Sequence, residues 1–423
     1  MEKAPMSMTL YDIIISSAGS ASALQKPDGS MPPGVNGPYN DPETPVRNTA
    51  HWTMVFLKAH DISGERRFLK SAEQALGYLH STAARPMGHT FWHRKNPDKD
   101  TCNGLIGQAW TLEALVLAGE QTGREESLRL AEEVFLLHPF DEEKGLWQRV
   151  NADGMRLPFD VTFNHQLWFA AAGALLGRHS ETAARQAGRF MEMLPVHLRL
   201  YGDGLIYHPL LFRFGWRQTL KDLLRAASEP RERKEKLRYK AVGYHLFNMH
   251  AFCMLHEVWP GHSFWEHRLF KQALSYAFSD EFSRQIGHNT FGYPYNPPGF
   301  EMGYVIDRFG GRSDGGRSDG DRPAGARVEG GSVEGGSVDG SAGDGSADGG
   351  RADGGDRVKK EPDKSRWVSS QLERCYNPAT GLMDRGTPDG STHAARLYEA
   401  VRLNNVGVEF REDVPPQPTA TAS

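Results

Sequence analysis

The chain has 423 residues, 39% of them hydrophobic and 10% aromatic, enough apolar mass for one large or two ordinary globular domains. Its formal net charge of only -4 argues against nucleic acid or an anionic membrane surface as a partner, and no segment reaches the roughly 18 consecutive apolar residues of a membrane span. Three widely spaced cysteines, Cys102, Cys253 and Cys375, form no paired motif for a disulfide framework or a zinc cluster, which points to a reducing cytoplasm.

Taken in chain order, Tyr11–Leu24 reads as an amphipathic first helix. It is not a leader peptide, because Asp12 interrupts the apolar run and no basic stretch precedes it. The loop 32–43 is so rich in Pro and Gly that its course is rigid and irregular, as binding loops on a helical scaffold need. It leads to Arg47, Asn48, His51 and Trp52, which open a helix through Ala59. Arg47 is a candidate clamp for a carboxylate or phosphate, unless it simply pairs with Asp41 or Glu43. A second helix follows near Glu65–His80.

The stretch Thr90–Lys95, with Trp92 and His93, precedes Asp100-Thr101-Cys102-Asn103-Gly104 and a helix over Leu105–Leu117. Trp92 suits stacking against a sugar ring, and Asp100 reads either as an acid of the site or as a helix cap. A further helix lies near Glu125–Leu137. Asp160, Asn164, His165 and Trp168 then fall within three turns at the start of the Leu167–Leu176 helix. Asp160 and His165 are there candidates for general acid/base chemistry. Its partner helix lies near Ser180–Met193. His245–Val258 carries Asn248 and His250. His245 and His250 are five apart and diverge on a helix, so they do not make a metal pair like the i, i+4 histidines of zinc helices. After a helix over Phe264–Phe278, the stretch 287–301 holds His288, Tyr295, Asn296 and Glu301. It reads as a rim loop closing over a ligand, with Glu301 starting the next helix.

From 310 to about 364 the chain is Gly, Ser, Asp, Arg and Ala with near-duplications and almost no large apolar residue, so it is expected to be a disordered insertion. Trp367–Cys375 and Ala394–Leu403 read as a last hairpin, and residues 413–423 as a frayed tail.

One pattern runs through the helical windows: an Asn with an aromatic four residues on, as in Asn48/Trp52, Asn164/Trp168 and Asn248/Phe252, with a looser copy from Asn103 to Trp110. Repeated helical hairpins at this spacing mean one supersecondary unit, stacked or closed into a ring. Irregular repeats with long loops rich in Trp, His, Pro and Tyr favour an all-α (α/α)6 toroid over an open solenoid, with about eleven or twelve helices and scarce strands. The toroid would comprise residues 1–309 and 365–412 as one domain. The absence of phosphate-cradling Gly-rich loops and GxSxG elbows argues against nucleotide hydrolysis and acyl transfer. No metal site and no cofactor are expected.

The runs Asp41–Trp52, Asn103–Trp110, Leu136–Asp141, Asn164–Trp168 and Asn296–Glu301 together resemble the AglQ group, proteins encoded with the archaeal enzymes that assemble the N-linked glycan of surface-layer proteins. The likeness covers most of 8–308 and about 366–403. More distantly, the hairpins are similar to N-acylglucosamine 2-epimerase-like isomerases and to unsaturated glucuronyl hydrolases. The first resemblance implies proton transfer by histidines without metal or nucleotide cofactor; the second implies two catalytic acids, for which Asp100 and Asp160 are the candidates. The expectation is therefore a cytoplasmic isomerase or epimerase of a nucleotide- or lipid-linked sugar, a hexuronate, working beside other glycosylation enzymes. His250, His165 and Asp160 would carry protons, Arg47 would hold an anionic group, and Trp52, Trp92 and Trp168 would stack on the ring. The alternatives are a glycoside hydrolase using Asp100 and Asp160, or a non-catalytic glycan binder.

Overall fold

The computed structural model describes residues 6–210, 230–310 and 363–411. Both the Gly/Asp-rich stretch expected at 310–364 and the tail at 413–423 lie, but for their edges, outside the described residues.

Fourteen α-helices are present among the described residues, more than the sequence pattern counts. They are α1 (Leu10–Ser22), α2 (Val46–Ser63), α3 (Arg66–His80), α4 (Gly104–Thr122), α5 (Glu125–Leu137), α6 (Phe163–Leu176) and α7 (Glu181–His197). Then follow α8 (Arg231–Gly243), α9 (His245–Val258), α10 (Arg268–Ala277), α11 (Asp280–Ile286), α12 (Pro298–Phe309), α13 (Lys364–Cys375) and α14 (Gly390–Ala395), which continues as a 3-10 turn, Arg396–Ala400.

The helices sort into two rings by their residue pattern. α4 and α6 are apolar on nearly every face and are buried all round, which a helix tolerates only inside a layer of others. α3, α7 and α10 are strongly amphipathic and bury a single stripe, as outer helices must. Around the inner ring α2 packs on α4, α4 on α6, α6 on α9, α9 on α12, α12 on the Arg396–Ala400 turn, and that turn returns to α2. α3, α5, α7, α10 and α13 lie outside their hairpin partners, and α1 packs on α2 and α3. This is the (α/α)6 toroid.

Local chemistry fixes the hairpins. α2 ends at Gly64 and α4 at Gly123, both at positive φ (70° and 68°), where a glycine turns the chain without a Cβ penalty. At α1 a capping box joins Thr9 and Asp12. Strand β1 (Met6–Thr9) pairs antiparallel with β5 (Gly407–Phe410), Met6 opposite Phe410, and so brings the two ends of the described chain together. The strands β2 (Phe140–Asp141), β3 (Leu146–Val150) and β4 (Arg156–Phe159) form a three-stranded antiparallel sheet that the sequence pattern does not announce. Its Trp147 is buried among Phe135, Phe140, Phe169 and Phe190. Among the described residues no helix is long and apolar enough to cross a membrane.

Candidate active site

The inner helices run parallel, and the loops before them meet at one end of the toroid around a cavity of about 230 Å³. That is below the roughly 300–1,000 Å³ of sites for drug-sized ligands, and suits one sugar ring. The wall is drawn from all around the ring: Asn36, Tyr39 and Asp41 from the loop before α2; Arg94, Lys99 and Asn103 from the connection before α4; Thr162, Asn164 and His165 at the start of α6. His208, Lys240, Tyr244, Tyr295 and Arg396 complete it, with Ile106, Trp110 and Phe247 beneath. Helix N-termini converge here, and their partial positive charge favours an anionic ligand.

Backbone strain concentrates at the mouth. The positive-φ residues other than glycine among the described residues are Asn36 (56°), Asn40 (46°) and Asn103 (57°), and Asn36 and Asn103 line the cavity. Such conformations persist only where the surroundings over-determine them. For Asn36 they do: its Oδ1 accepts from Arg47 Nη1 (2.8 Å) and from the Tyr295 hydroxyl (2.8 Å). The next peptide is held from outside, since Asp389 Oδ2 accepts from the amides of Val35 (2.8 Å) and Gly37 (2.9 Å). A Cβ on Gly37 would fall 2.2 Å from the Tyr295 ring, so only glycine lets this loop lie flat on that tyrosine. Across the mouth the Tyr39 and Tyr244 hydroxyls are 2.6 Å apart.

The acid/base centre is built on the start of α4 and α6. Asp160 Oδ2 is 2.8 Å from His165 Nδ1 and also accepts from the Leu105 amide (3.1 Å), while Oδ1 accepts from Thr162 (3.1 Å). Burial alone would raise this carboxyl, but His165, the Leu105 N–H and Arg149 outweigh it and hold it down at about 2. An ionised Asp160 accepts from His165 Nδ1 and so leaves Nε2 to serve as the base, on a ring that lines the cavity. Gly104 (φ 60°) lies against the pair: a Cβ there would be 2.6 Å from Asp160 Oδ2 and 2.7 Å from His165 Nδ1. His208, on the same cavity, is kept neutral by burial and by the nearby charge of Lys240, and its Nδ1 has no hydrogen-bond partner.

Asp100 faces an adjoining cavity lined also by Arg94, Lys99 and Arg149. It accepts from the Gly104 amide (2.8 Å), Arg94 (3.2 Å) and Arg149 (2.9 Å); burial would raise it, but these partners hold it below the ordinary carboxylate range. Asp100 and Asp160 are thus both ionised acids at the N-terminus of α4.

The other charges of the site are paired with one exception. Asp41 meets Arg94 at 3.6 Å and Lys99 at 3.1 Å. Arg396 pairs with Glu399 and lies 3.7 Å from Glu301. Burial, with the neighbouring Glu399, pushes Glu301 well above the carboxylate range, so it carries a proton. Among the described residues Lys240 has no ion pair.

Of the residues singled out in the sequence, the structure gathers Asn103, Asn164, His165 and Tyr295 on the cavity, with Asp160 directly behind His165. The others lie elsewhere, and in most cases the reason is a structural duty. Arg47 is fully buried, pairs with Glu43 (3.2 Å) and sits 4.2 Å over Trp110, the plainer of the two readings its position allowed. Asn48, Asn248 and Asn296 tie loop carbonyls of Pro32, Tyr244 and Gly243. That is what the recurrent Asn at a helix start does in two of its three clear copies. Trp52 stacks on Phe56 in the core; Trp168 lies between Phe247 and His250, its Nε1 donating to the Phe247 carbonyl. His250 is buried against Tyr304, and His51 stacks on Tyr398 at 3.9 Å. Trp92 Nε1 donates to the Arg94 carbonyl, His93 meets Thr111, Glu301 lies behind Arg396, and His288 is exposed. Sequence reasoning missed His208, Lys240, Arg94, Lys99 and Arg396. The one signal for His208 was its Tyr-His-Pro setting in an irregular connection before an inner helix. Among the described residues, no group of three or more His, Cys, Asp or Glu is placed to hold a metal ion.

No family model matches the chain. It is 41% identical over 410 residues to archaeal glycosylation protein Q of Haloferax volcanii DS2, across 94% of this chain and 98% of that protein. Among solved structures it is similar to an inactive variant of the α-1,6-mannanase GH76A of Salegentibacter sp. HEL1_6 in complex with α-1,6-mannotetrose. The two share 11% identity and a TM-score of 0.51, over 93% of this chain and 98% of that one. Cellobiose 2-epimerase from Bacillus thermoamylovorans B4167 gives 12% identity and a TM-score of 0.50 over 72% and 83%. At these identities the likeness to the solved structures is one of fold.

Proposed function

The chain belongs to the family of archaeal glycosylation protein Q, and from that premise we propose that it is a sugar isomerase or epimerase acting during N-linked glycan assembly for surface-layer glycoproteins. Its substrate is a nucleotide- or lipid-linked sugar, a hexuronate, and it works in the cytoplasm beside other enzymes of the pathway. The observation that carries this reading is the Asp160–His165 dyad on a one-sugar cavity shared with a second, neutral histidine, His208. His165 Nε2 takes the proton from the carbon beside a carbonyl, and the electron pair moves into an enediolate. Arg396, Lys240 and the helix N-termini stabilise its charge. Return of that proton from the protonated His165 to the neighbouring carbon gives the isomer; delivery of a solvent proton on the opposite face, beside the neutral His208, while His165 loses its own to solvent, gives the epimer. Here the places expected of His250 and Arg47 pass to His208 and to the cations of the wall.

The hydrolase reading is less well supported. A glycosidase needs one carboxylic acid that still holds its proton near neutral pH. Asp100 and Asp160 are both held ionised at a helix N-terminus.

NMR of the protein with candidate uronic-acid sugars in deuterated water tests the proposal, with nucleotide- and lipid-linked forms included. Deuterium should enter one ring carbon with the linkage intact, and His165→Asn should slow that exchange by about 10²–10⁴-fold. Cleavage of the linkage would make the protein a hydrolase, and binding without exchange would make it a glycan-binding protein.

A further inference from the structure

Five cations stand in or just behind the wall of the cavity, and four of them meet a carboxylate within the protein. Arg47 has Glu43, Arg94 and Lys99 have Asp41, and Arg396 has Glu399. Lys240 differs. It lines the cavity from the last turn of α8, its Nζ lies 5.0 Å from the ring centre of Tyr39 and 5.5 Å from that of Tyr244, and among the described residues no carboxylate meets it. Two aromatic faces are a weak substitute for a counter-ion. A half-buried ammonium left this way is costly unless something supplies the missing negative charge. Burial duly pulls Lys240 below its ordinary range, with no charged group to restore it. The same residue faces the cavity that holds the His165 base, so the missing anion and the reacting sugar occupy one space.

We propose that Lys240 is the specificity-determining anchor for an oxyanion carried by the substrate, so that the site selects carboxylate- or phosphate-bearing sugars over neutral ones. The inference rests on the reading of this cavity as a sugar site but not on the reaction performed there. The two oxyanions differ in source: a carboxylate belongs to the sugar ring itself, a phosphate to its carrier. With one ring's worth of room, Lys240 meets the ring's own carboxylate when the linkage points outward past Arg94 and Lys99, and the anomeric phosphate when the ring is reversed.

Isothermal titration of the full chain with four ligands separates these cases: a free hexuronate, its methyl ester, the matching neutral hexose, and the hexose 1-phosphate. Lys240→Met keeps the length of the side chain and removes the charge. It should weaken the charged ligand by about 10- to 100-fold, the worth of one charge-assisted hydrogen bond, and leave the neutral hexose unchanged. Lys240→Arg should restore part of the loss. A loss confined to the hexuronate assigns the carboxylate, and one confined to the hexose 1-phosphate assigns the phosphate. Without ligand, Lys240→Met should melt no lower than the parent, because it removes an uncompensated charge. Should that variant fail to fold, Lys240→Gln serves in its place. Equal affinity of parent and variant for every charged ligand, or an equal loss for the neutral hexose, would overturn the proposal. Lys240-dependent binding without deuterium exchange would leave the anchor standing and sink the isomerase reading alone.

Discussion

Buried charge decides most of what individual residues do here, and Arg396 shows how. Its guanidinium lines the cavity, yet two carboxyls lie behind it, Glu399 in contact and Glu301 at 3.7 Å. Two ionised carboxylates beside one guanidinium would leave an excess negative charge in the core, so one keeps its proton; burial and the neighbouring Glu399 put it on Glu301. A protonated carboxyl is close to an amide in size and hydrogen bonding. Glu301→Gln should therefore change stability by less than about 1 kcal/mol, whereas Arg396→Met, which strands Glu399, should cost about 3 kcal/mol or more. Urea unfolding of the two variants checks this, and equal losses would mean that Glu301 is ionised after all. His165 follows the same logic in a functional setting: an ionised neighbour with two further donors holds its ring in one tautomer.

At the level of elements, the entry of α4 is where sequence, geometry and chemistry meet. Asn103 and Gly104 both adopt positive φ (57° and 60°), and the turn they make points the first amides of the helix at Asp100 and Asp160. Gly104→Ala would drive a methyl between Asp160 and His165 and strain the backbone. The variant should lose about 10²-fold or more of the activity with only about 1 kcal/mol of stability. Gly77→Ala is the control, since a Cβ at that position in α3 meets nothing within 4 Å. Exchange at the parental rate in Gly104→Ala would show that the dyad is not where the chemistry happens. The same element explains what could be read in advance. A stripe marks α3 and α7 as outer helices, while the unbroken apolar run of Leu167–Leu176 marks an inner one. Asp160 and His165 were legible because both lie at one helix start. The β2–β4 sheet was not, because its strands are too short to show alternation. Nor was α8: Arg231–Gly243 is charged on every face, so it has no apolar period, and Lys240 looked like one more exposed lysine. His208 and Arg396 reach the site only through ring closure, which no local pattern encodes.

Ring closure is also the property of the whole molecule on which the site depends. The sixth inner segment, Gly390–Ala400, brings Arg396 to the cavity with Glu399 behind it. Among the described residues no outer helix follows it in the chain, as one follows the other inner helices. The chain on either side of it is tied to the opposite end of the sequence: α1 donates a serine hydroxyl, Ser17 Oγ, to the Gly381 carbonyl (2.7 Å), and the Leu10 amide reaches the Val406 carbonyl (2.9 Å). Strand β5 fastens the join, with Val408 and Phe410 buried and Phe410 edge-on to Tyr376. In a closed ring, loosening one seam frees both neighbours, so damage here should reach a site to which no seam residue contributes. Phe410→Ala removes a buried aromatic and should cost about 3–5 kcal/mol, lowering the melting temperature by several degrees or more. Below that temperature the variant should still bind the charged sugar more weakly than the parent, because Arg396 sits on the loosened segment. Thermal melts and titration of the same preparation measure both. A large drop in melting temperature with undiminished affinity would mean that five hairpins hold the site and the sixth merely covers it; loss of both together would make closure of the ring a condition for binding.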